Sequence, residues 1–86
     1  ADAYNNLGAV LFNAKMTEEA IDYYKKAIRI RPGFYAAHYN LGSALLQNGE
    51  MKEAIDHYRE ALKLKPGLVA AQKNLEIALL RLEKLE

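Results

Sequence analysis

Residues 1–34 read ADAYNNLGAVLFNAKMTEEAIDYYKKAIRIRPGF, and residues 35–68 read YAAHYNLGSALLQNGEMKEAIDHYREALKLKPGL. The second stretch repeats the first at an interval of 34 residues, without any insertion or deletion. The recurring residues are Ala3, Asn6-Leu7-Gly8, Leu11, Glu19-Ala20-Ile21-Asp22, Tyr24, Ala27 and Pro32-Gly33, matched by Ala37, Asn40-Leu41-Gly42, Leu45, Glu53-Ala54-Ile55-Asp56, Tyr58, Ala61 and Pro66-Gly67. A fixed interval of this length predicts a tandem array of one supersecondary unit.

The interval divides the chain into units. Residues 1–34 and 35–68 are two full units, and residues 69–86 begin a third, in which Asn74-Leu75 keeps the spacing. A chain of 86 residues is expected to form a single structural domain.

Each full unit has the pattern of two helices. Leu7, Val10, Leu11 and Ala14 recur at three- and four-residue spacing, which indicates an amphipathic helix. A polar break follows, and Pro32 or Pro66 ends the second helix because proline cannot continue the hydrogen-bond ladder. No segment has the alternation of a strand. The predicted helices lie near 2–14, 18–31, 36–48, 52–65 and 70–84.

Small residues predict a close crossing of the two helices in each unit. Gly8 and Ala20 take this role in the first unit, and Gly42 and Ala54 in the second. Large residues are expected to fill the space around them. This predicted core consists of Tyr4, Leu7, Leu11, Tyr24 and Ile28 in the first unit and His38, Leu41, Leu45, Tyr58 and Leu62 in the second.

These residues make the chain resemble the tetratricopeptide repeat family. The family's unit carries a large aromatic, Leu-Gly, a further large residue, Ala, an aromatic, Ala and Pro at fixed spacing. The matching positions are Tyr4, Leu7, Gly8, Leu11, Ala20, Tyr24, Ala27 and Pro32, and His38, Leu41, Gly42, Leu45, Ala54, Tyr58, Ala61 and Pro66. The resemblance implies an all-α, right-handed superhelix of five helices that binds a protein or peptide partner.

Two departures from the family pattern carry structural expectations. Lys15 stands where the family usually has glycine, so we expect a left-handed backbone there at a cost of about 1 kcal/mol. Gln72 and Glu76 replace an apolar residue and a glycine in the third unit. Residues 69–86 are therefore expected to form a capping helix whose outer face meets water.

Composition argues against several classes of function. The net charge is +1 and the charges are mixed, so neither a nucleic-acid footprint nor a membrane-binding face is expected. The chain has no cysteine, which excludes a thiolate metal site and leaves the redox compartment open. The first residues lack a signal sequence, and our working expectation is a cytoplasmic protein.

We expect neither a catalytic site nor a bound cofactor. The only serine and the only threonine have no histidine at helical spacing, and no glycine-rich phosphate loop is present. The two histidines are predicted to be structural, with His38 in a core position and His57 on an exposed helix face. They lack the additional ligands at helical spacing that a metal site needs.

The candidate binding site is the groove that the first helix of each unit lines in this family. Asn6, Asn40 and Asn74 repeat there every 34 residues, and each amide can bond both backbone groups of an extended peptide. This row is similar to the asparagine ladder in the repeats of the protein O-linked N-acetylglucosamine transferase. The full predicted groove comprises Asn5, Asn6, Ala9, Phe12, Asn13, Ala36, Tyr39, Asn40, Ser43, Leu46, Gln47, Lys73, Asn74, Ile77 and Leu80.

Two alternatives remain open at this point. The asparagines could instead serve the fold or solubility, and we weigh this reading equally with the binding role. The chain as a whole could be a structural unit without a ligand: a minimal or designed array, or a fragment of a longer solenoid. The absence of an initiator Met and the start at a unit boundary favour a fragment, a processed product or a designed array.

Two further expectations concern partners. The last helix carries more apolar residues than a terminal helix can bury, namely Leu75, Ile77, Leu79, Leu80, Leu82 and Leu85, so we expect weak self-association. Related proteins grip the carboxylates of chaperone tails with lysine, arginine and asparagine side chains. At the matching positions, Asn5, Ala9, Asn40, Ala70 and Asn74, only Asn40 agrees, so no such clamp is expected.

Overall fold

The computed structural model describes residues 1–85 and contains five helices. They are α1 (Asp2–Asn13), α2 (Thr17–Ile30), α3 (Tyr35–Gln47), α4 (Met51–Leu64) and α5 (Val69–Leu85). Every predicted helix is present, with each end within one residue of its predicted position. No strand occurs among the described residues. The predicted all-α fold class is therefore confirmed.

The helix ends follow local chemistry. Lys15, between α1 and α2, has a φ of 65°, which confirms the expected left-handed backbone. Gly49 adopts the same region between α3 and α4, with a φ of 84°. Glu18 and Glu19 lie in the first turn of α2, and Glu53 lies in that of α4. Arg29 and Lys63 lie in the last turns, so each sign of charge complements the helix dipole.

The helices of each hairpin approach closely where the glycines lie. A Cβ placed on Gly8 would lie 2.6 Å from Cε1 of Tyr24, and one on Gly42 would lie 2.9 Å from Cδ1 and Cε1 of Tyr58. Ala20 and Ala54 are fully buried, as expected. The close approach is therefore made by glycine against a tyrosine ring, and the alanines fill the space beside it.

Successive helices pack side by side along the chain. Backbone contacts also join α1 to α3 and α3 to α5, whereas the backbones of α2 and α4 do not approach each other within the described residues. The stack is therefore curved, with the first helix of each unit on its inner side. This inner side, formed by α1, α3 and α5, is called the concave face below.

The predicted core is wrong at two positions of the first unit. Tyr4 and Leu7 are 37% and 41% exposed, although their counterparts His38 and Leu41 are buried. The reason is that α2 covers this side of α3, whereas no helix of residues 1–85 covers the same side of α1. Tyr24, Leu41, Leu45 and Tyr58 are buried as predicted, and Leu11, Ile28 and Leu62 pack against the core.

Candidate protein-interaction surface

The concave face contains the predicted groove residues at three levels of exposure. Those that reach solvent freely are Asn6, Asn13, Gln47, Lys73, Ile77 and Leu80. Those that are half-buried are Ala9, Phe12, Ala36, Tyr39, Asn40, Ser43, Leu46 and Asn74. Only Asn5 is buried. In the row of asparagines, Asn6 is therefore exposed, whereas Asn40 and Asn74 are half-buried.

Asn5 and Asn40 bond to each other across the joint between α1 and α3. The Nδ2 of Asn40 donates to the Oδ1 of Asn5 over 3.0 Å. Because Asn5 is buried, this bond satisfies a carbonyl oxygen that would otherwise be unpaired. Asn40 keeps its own carbonyl oxygen and a second N–H for a ligand. The bond means that Asn40 holds the units together whether or not it also contacts a partner.

A second set of polar bonds joins α3 to its neighbours. The Nδ2 of Asn74 donates to the hydroxyl of Tyr39 over 3.2 Å, and the hydroxyl of Tyr58 donates to Oγ of Ser43 over 3.0 Å. The rings of Tyr39 and Tyr58 lie 5.9 Å apart. Burial raises the pKa of Tyr58, so its hydroxyl remains protonated and a donor at neutral pH.

Apolar side chains lie beside these polar groups on the concave face. Phe12, Tyr39 and Leu46 are partly covered by the core against which they pack. Ile77 and Leu80 on α5 are more open, at 41% and 53% exposed. The surface thus combines an apolar strip with amide groups, a combination that suits an extended peptide better than a charged ligand.

The prediction for His57 is wrong, because this side chain is half-buried rather than exposed. Its Nδ1 lies 3.1 Å from the Nδ1 of His38, which is buried as predicted. Nothing in the spacing of 19 residues suggested the contact. The 34-residue interval did contain a signal, since His38 and His57 occupy the positions that Tyr4 and Tyr23 occupy in the first unit.

The apolar surface of α5 is smaller than expected. Leu75 and Leu82 pack against the core, which leaves Val69, Ile77, Leu79, Leu80 and Leu85 as its exposed large apolar residues. Another apolar face lies at the opposite end of the molecule, on α1. It comprises Tyr4, Leu7 and Val10, and it is called the α1 face below.

Residues 1–85 lack two other features. Within residues 1–85, no three histidine or acidic side chains are grouped as metal ligands would be. None of the helices in that range combines the length and apolar character that a membrane span requires.

Comparisons with known proteins agree with this geometry. The profile of the tetratricopeptide repeat matches residues 1–34 and 35–68. Two crystal structures of the protein MamA superpose with TM-scores of 0.87 and 0.86, each at 31% sequence identity. They align over 90% of this chain but only 45% and 42% of their own, so this chain spans less than half of their length. No curated protein sequence gives a significant match.

Curved stacking of two-helix units defines the molecule as an α-helical solenoid. The matches over residues 1–34 and 35–68 then specify the type: the chain belongs to the tetratricopeptide repeat family. Repeats of this family generally mediate protein–protein interactions, and proteins built from them are typically scaffolds rather than enzymes.

Proposed function

We propose that this chain is a non-catalytic interaction module that holds an extended segment of a partner protein against its concave face. The observation that carries the proposal is the exposed strip of Ile77 and Leu80 beside the amides of Asn40 and Asn74. Apolar partner side chains would contact the strip, and the amides would bond the partner's backbone.

The asparagine row supports backbone recognition with weak sequence preference. Asn6 is exposed and has its whole amide available for a ligand. Asn40 and Asn74 each spend one N–H on a neighbouring helix, which fixes the orientation of the remaining carbonyl and N–H. Fixed side chains lose less conformational entropy when they bind. The proposal is thus a row similar to the asparagine ladder, in which two of three members are held in place.

The third unit is proposed to act as a cap for the array. Ala71 and Ala78 of α5 are buried against the second unit, while Gln72, Lys73 and Glu76 meet solvent. In the second unit, a tyrosine of α4 packs on Gly42, and Glu76 occupies the equivalent position in α5. A tyrosine of a further helix could not pack on Glu76 as Tyr58 packs on Gly42. This difference suits a helix at the end of an array.

Selection of binders from a random peptide library, followed by titration of the selected peptides, tests the proposal. We expect extended peptides with scattered apolar residues to bind the parent chain. The variant Leu80→Asp should weaken binding at least tenfold, since it places a charge on the strip.

The matched control is Ile30→Asp. Ile30 is exposed to a similar degree at the end of α2, away from the concave face. Binding that is lost equally in both variants, or in neither, would contradict a concave binding site. The Asn40→Ala variant is unsuitable here because it also removes the bond to Asn5.

A further inference from the structure

The two full units contain a stacked pair of rings at the same place. In the first unit the rings of Tyr4 and Tyr23 lie 6.0 Å apart at an interplanar angle of 29°. In the second unit the rings of His38 and His57 lie 5.3 Å apart at 27°. The stack is therefore a feature of the unit, but only the second pair consists of imidazoles, the side chains whose ordinary pKa lies closest to neutral.

The hydrogen bonds of His38 define where its proton lies. Its Nε2 is 2.8 Å from the carbonyl oxygen of Pro32, in the loop that joins the two units. A carbonyl can only accept, so Nε2 carries the proton. Gln72 makes the equivalent bond in the third unit, where its Nε2 donates to the carbonyl of Pro66 over 2.9 Å.

The contact between the two histidines then holds a single proton. With Nε2 protonated, the neutral ring of His38 has a free lone pair on Nδ1. The Nδ1 of His57, 3.1 Å away, must donate its hydrogen to that lone pair. A second proton on His38 would remove the acceptor and leave two N–H groups facing each other.

Charged groups face the pair from two helices. Lys25 approaches from α2, where it lies 3.7 Å from Glu53. Glu53, Asp56 and Glu60 approach from α4, and α3 contributes His38 itself. Burial and the neighbouring His38 lower the pKa of His57, and Lys25 acts in the same direction, while Glu53 and Asp56 oppose them.

We propose that the His38–His57 contact is an acid-sensitive joint between α3 and α4, the two helices of the second unit. It is closed while Nδ1 of His38 presents its lone pair to the N–H of His57. It opens when Nδ1 of His38 takes up a proton, because two N–H groups then face each other. Opening separates α3 from α4 at this point. Mild acid would therefore loosen the stack that forms the concave face, and with it the binding of a partner there.

The direction of the pH effect follows from proton linkage. A histidine with a lowered pKa in the folded state binds fewer protons than the same residue in the unfolded chain. The free energy of unfolding therefore falls as the pH drops through the unfolded value of about 6.5. The loss is complete once the pH lies below the lowered pKa of His57 in the folded chain.

Urea unfolding at several pH values, with EDTA present, tests the joint. The comparison variant is the double substitution His38→Gln with His57→Tyr, which copies Gln72 and Tyr23 from the equivalent positions. Measurements between about pH 8 and pH 5 leave exposed carboxylates largely ionised, so histidine titration dominates. We expect the parent's urea midpoint to fall across this range and the variant's to change much less. Equal slopes for the two chains would overturn the proposal.

Nitrogen NMR of the parent's histidine rings gives a test that does not require the variant to fold. We expect His38 to show a protonated Nε2 and a bare Nδ1 at neutral pH, and His57 to resist protonation compared with a free histidine. If the two rings instead take up protons independently of each other, at the ordinary histidine pKa, the proposed joint is overturned. A urea midpoint that zinc, added without EDTA, raises in the parent but not in the double variant would also overturn the proposal, in favour of a metal site.

Discussion

At the scale of single residues, backbone conformation and side-chain volume explain most of the repeating pattern. Lys15 and Gly49 occupy equivalent turns and share a left-handed backbone, but only glycine adopts it without a steric penalty. Gly8 and Gly42 are required for a different reason, since tyrosine rings occupy the space of a side chain.

The substitution Lys15→Gly is expected to stabilise the protein. Relief of the left-handed strain should raise the free energy of unfolding by about 0.5–1 kcal/mol, after allowance for the greater freedom of glycine in the unfolded chain. The reciprocal change Gly49→Ala should lower it by about 1 kcal/mol. No heavy atom lies within 4 Å of a Cβ at Gly49, so the loss would be purely conformational. Urea midpoints that move in the same direction for both variants would contradict this reading.

Gly42→Ala should destabilise the second hairpin. The added methyl would lie 2.9 Å from the buried ring of Tyr58, which is held by its bond to Ser43. Overpacking outweighs the higher helix propensity of alanine, and we expect a net loss of about 1–2 kcal/mol. Gly67→Ala is the control, because its Cβ meets no atom within 4 Å. Thermal melting of both variants checks the prediction, and equal melting temperatures would show that the tyrosine ring can move.

At the scale of helices, polar bonds fix how one unit sits on the next. Four side-chain hydrogen bonds of the described residues do so: Asn40 with Asn5 and His38 with Pro32 join the first unit to the second, and Asn74 with Tyr39 and Gln72 with Pro66 join the second to the third. A hydrogen bond between partly buried groups forms at only one relative position of the two helices, whereas apolar contacts persist when the helices slide slightly. These bonds were not foreseen because each depends on residues about a unit apart or across a loop.

Asn40→Ala tests whether the row of asparagines has a structural role. The change leaves the buried carbonyl of Asn5 without its donor, at an expected cost of about 1–3 kcal/mol in the free energy of unfolding. Asn6→Ala, at an exposed position of α1, should change stability by less than about 0.5 kcal/mol. Chemical denaturation of the two variants measures the difference. A similar effect from both would mean that the bond to Asn5 contributes little.

At the scale of the whole molecule, the two ends of the stack differ from its middle. The α1 face exposes Leu7 and Val10, whereas their counterparts Leu41 and Ala44 are fully covered by α2. At the other end, Leu79 and Leu85 of α5 remain exposed. An array of this kind buries its units against neighbours, so open ends favour contact with a second copy or another helix.

We predict weak end-to-end self-association at high concentration. The change Val10→Lys, at a position 63% exposed, should abolish it, since charge on the α1 face opposes burial. Ile30→Lys is the matched control, because Ile30 and its counterpart Leu64 are exposed in both units and are not covered by a neighbour. Sedimentation velocity across a wide concentration range measures the effect. A parent chain that stays monomeric at millimolar concentration would contradict the prediction.

Binding of chaperone tails ending in Glu-Glu-Val-Asp is not expected. The three positions that carry cations in that clamp hold Asn5, Ala70 and Asn74 here, so three bonds to carboxylates are lost, each worth about 1.5–3 kcal/mol. The one matching residue, Asn40, already bonds Asn5. Titration of a labelled tail peptide should show no saturation in the micromolar range. Micromolar binding that disappears when the peptide's terminal carboxylate is amidated would show a carboxylate clamp after all.

The sequence alone determined the unit, the helices and the hairpin. Helix ends depend on residues within one turn, such as Pro32 and Lys15, and a 34-residue recurrence without insertions specifies stacking of equivalent elements. The same register placed the row of asparagines on the first helix of each unit, and the family resemblance implied that those helices line a groove. These features are local or periodic, and both kinds of information are present in the order of residues.

Only the tertiary structure decided which equivalent residues are covered. Leu7 and Leu41 are the same residue at the same place in the unit, yet one is 41% exposed and the other 1%. The pairing of His57 with His38 and of Asn40 with Asn5 was decided at the same level. The physical reason is that burial and hydrogen-bond partnership depend on the neighbouring helix, and a repeat at the end of an array lacks a neighbour that an inner repeat has.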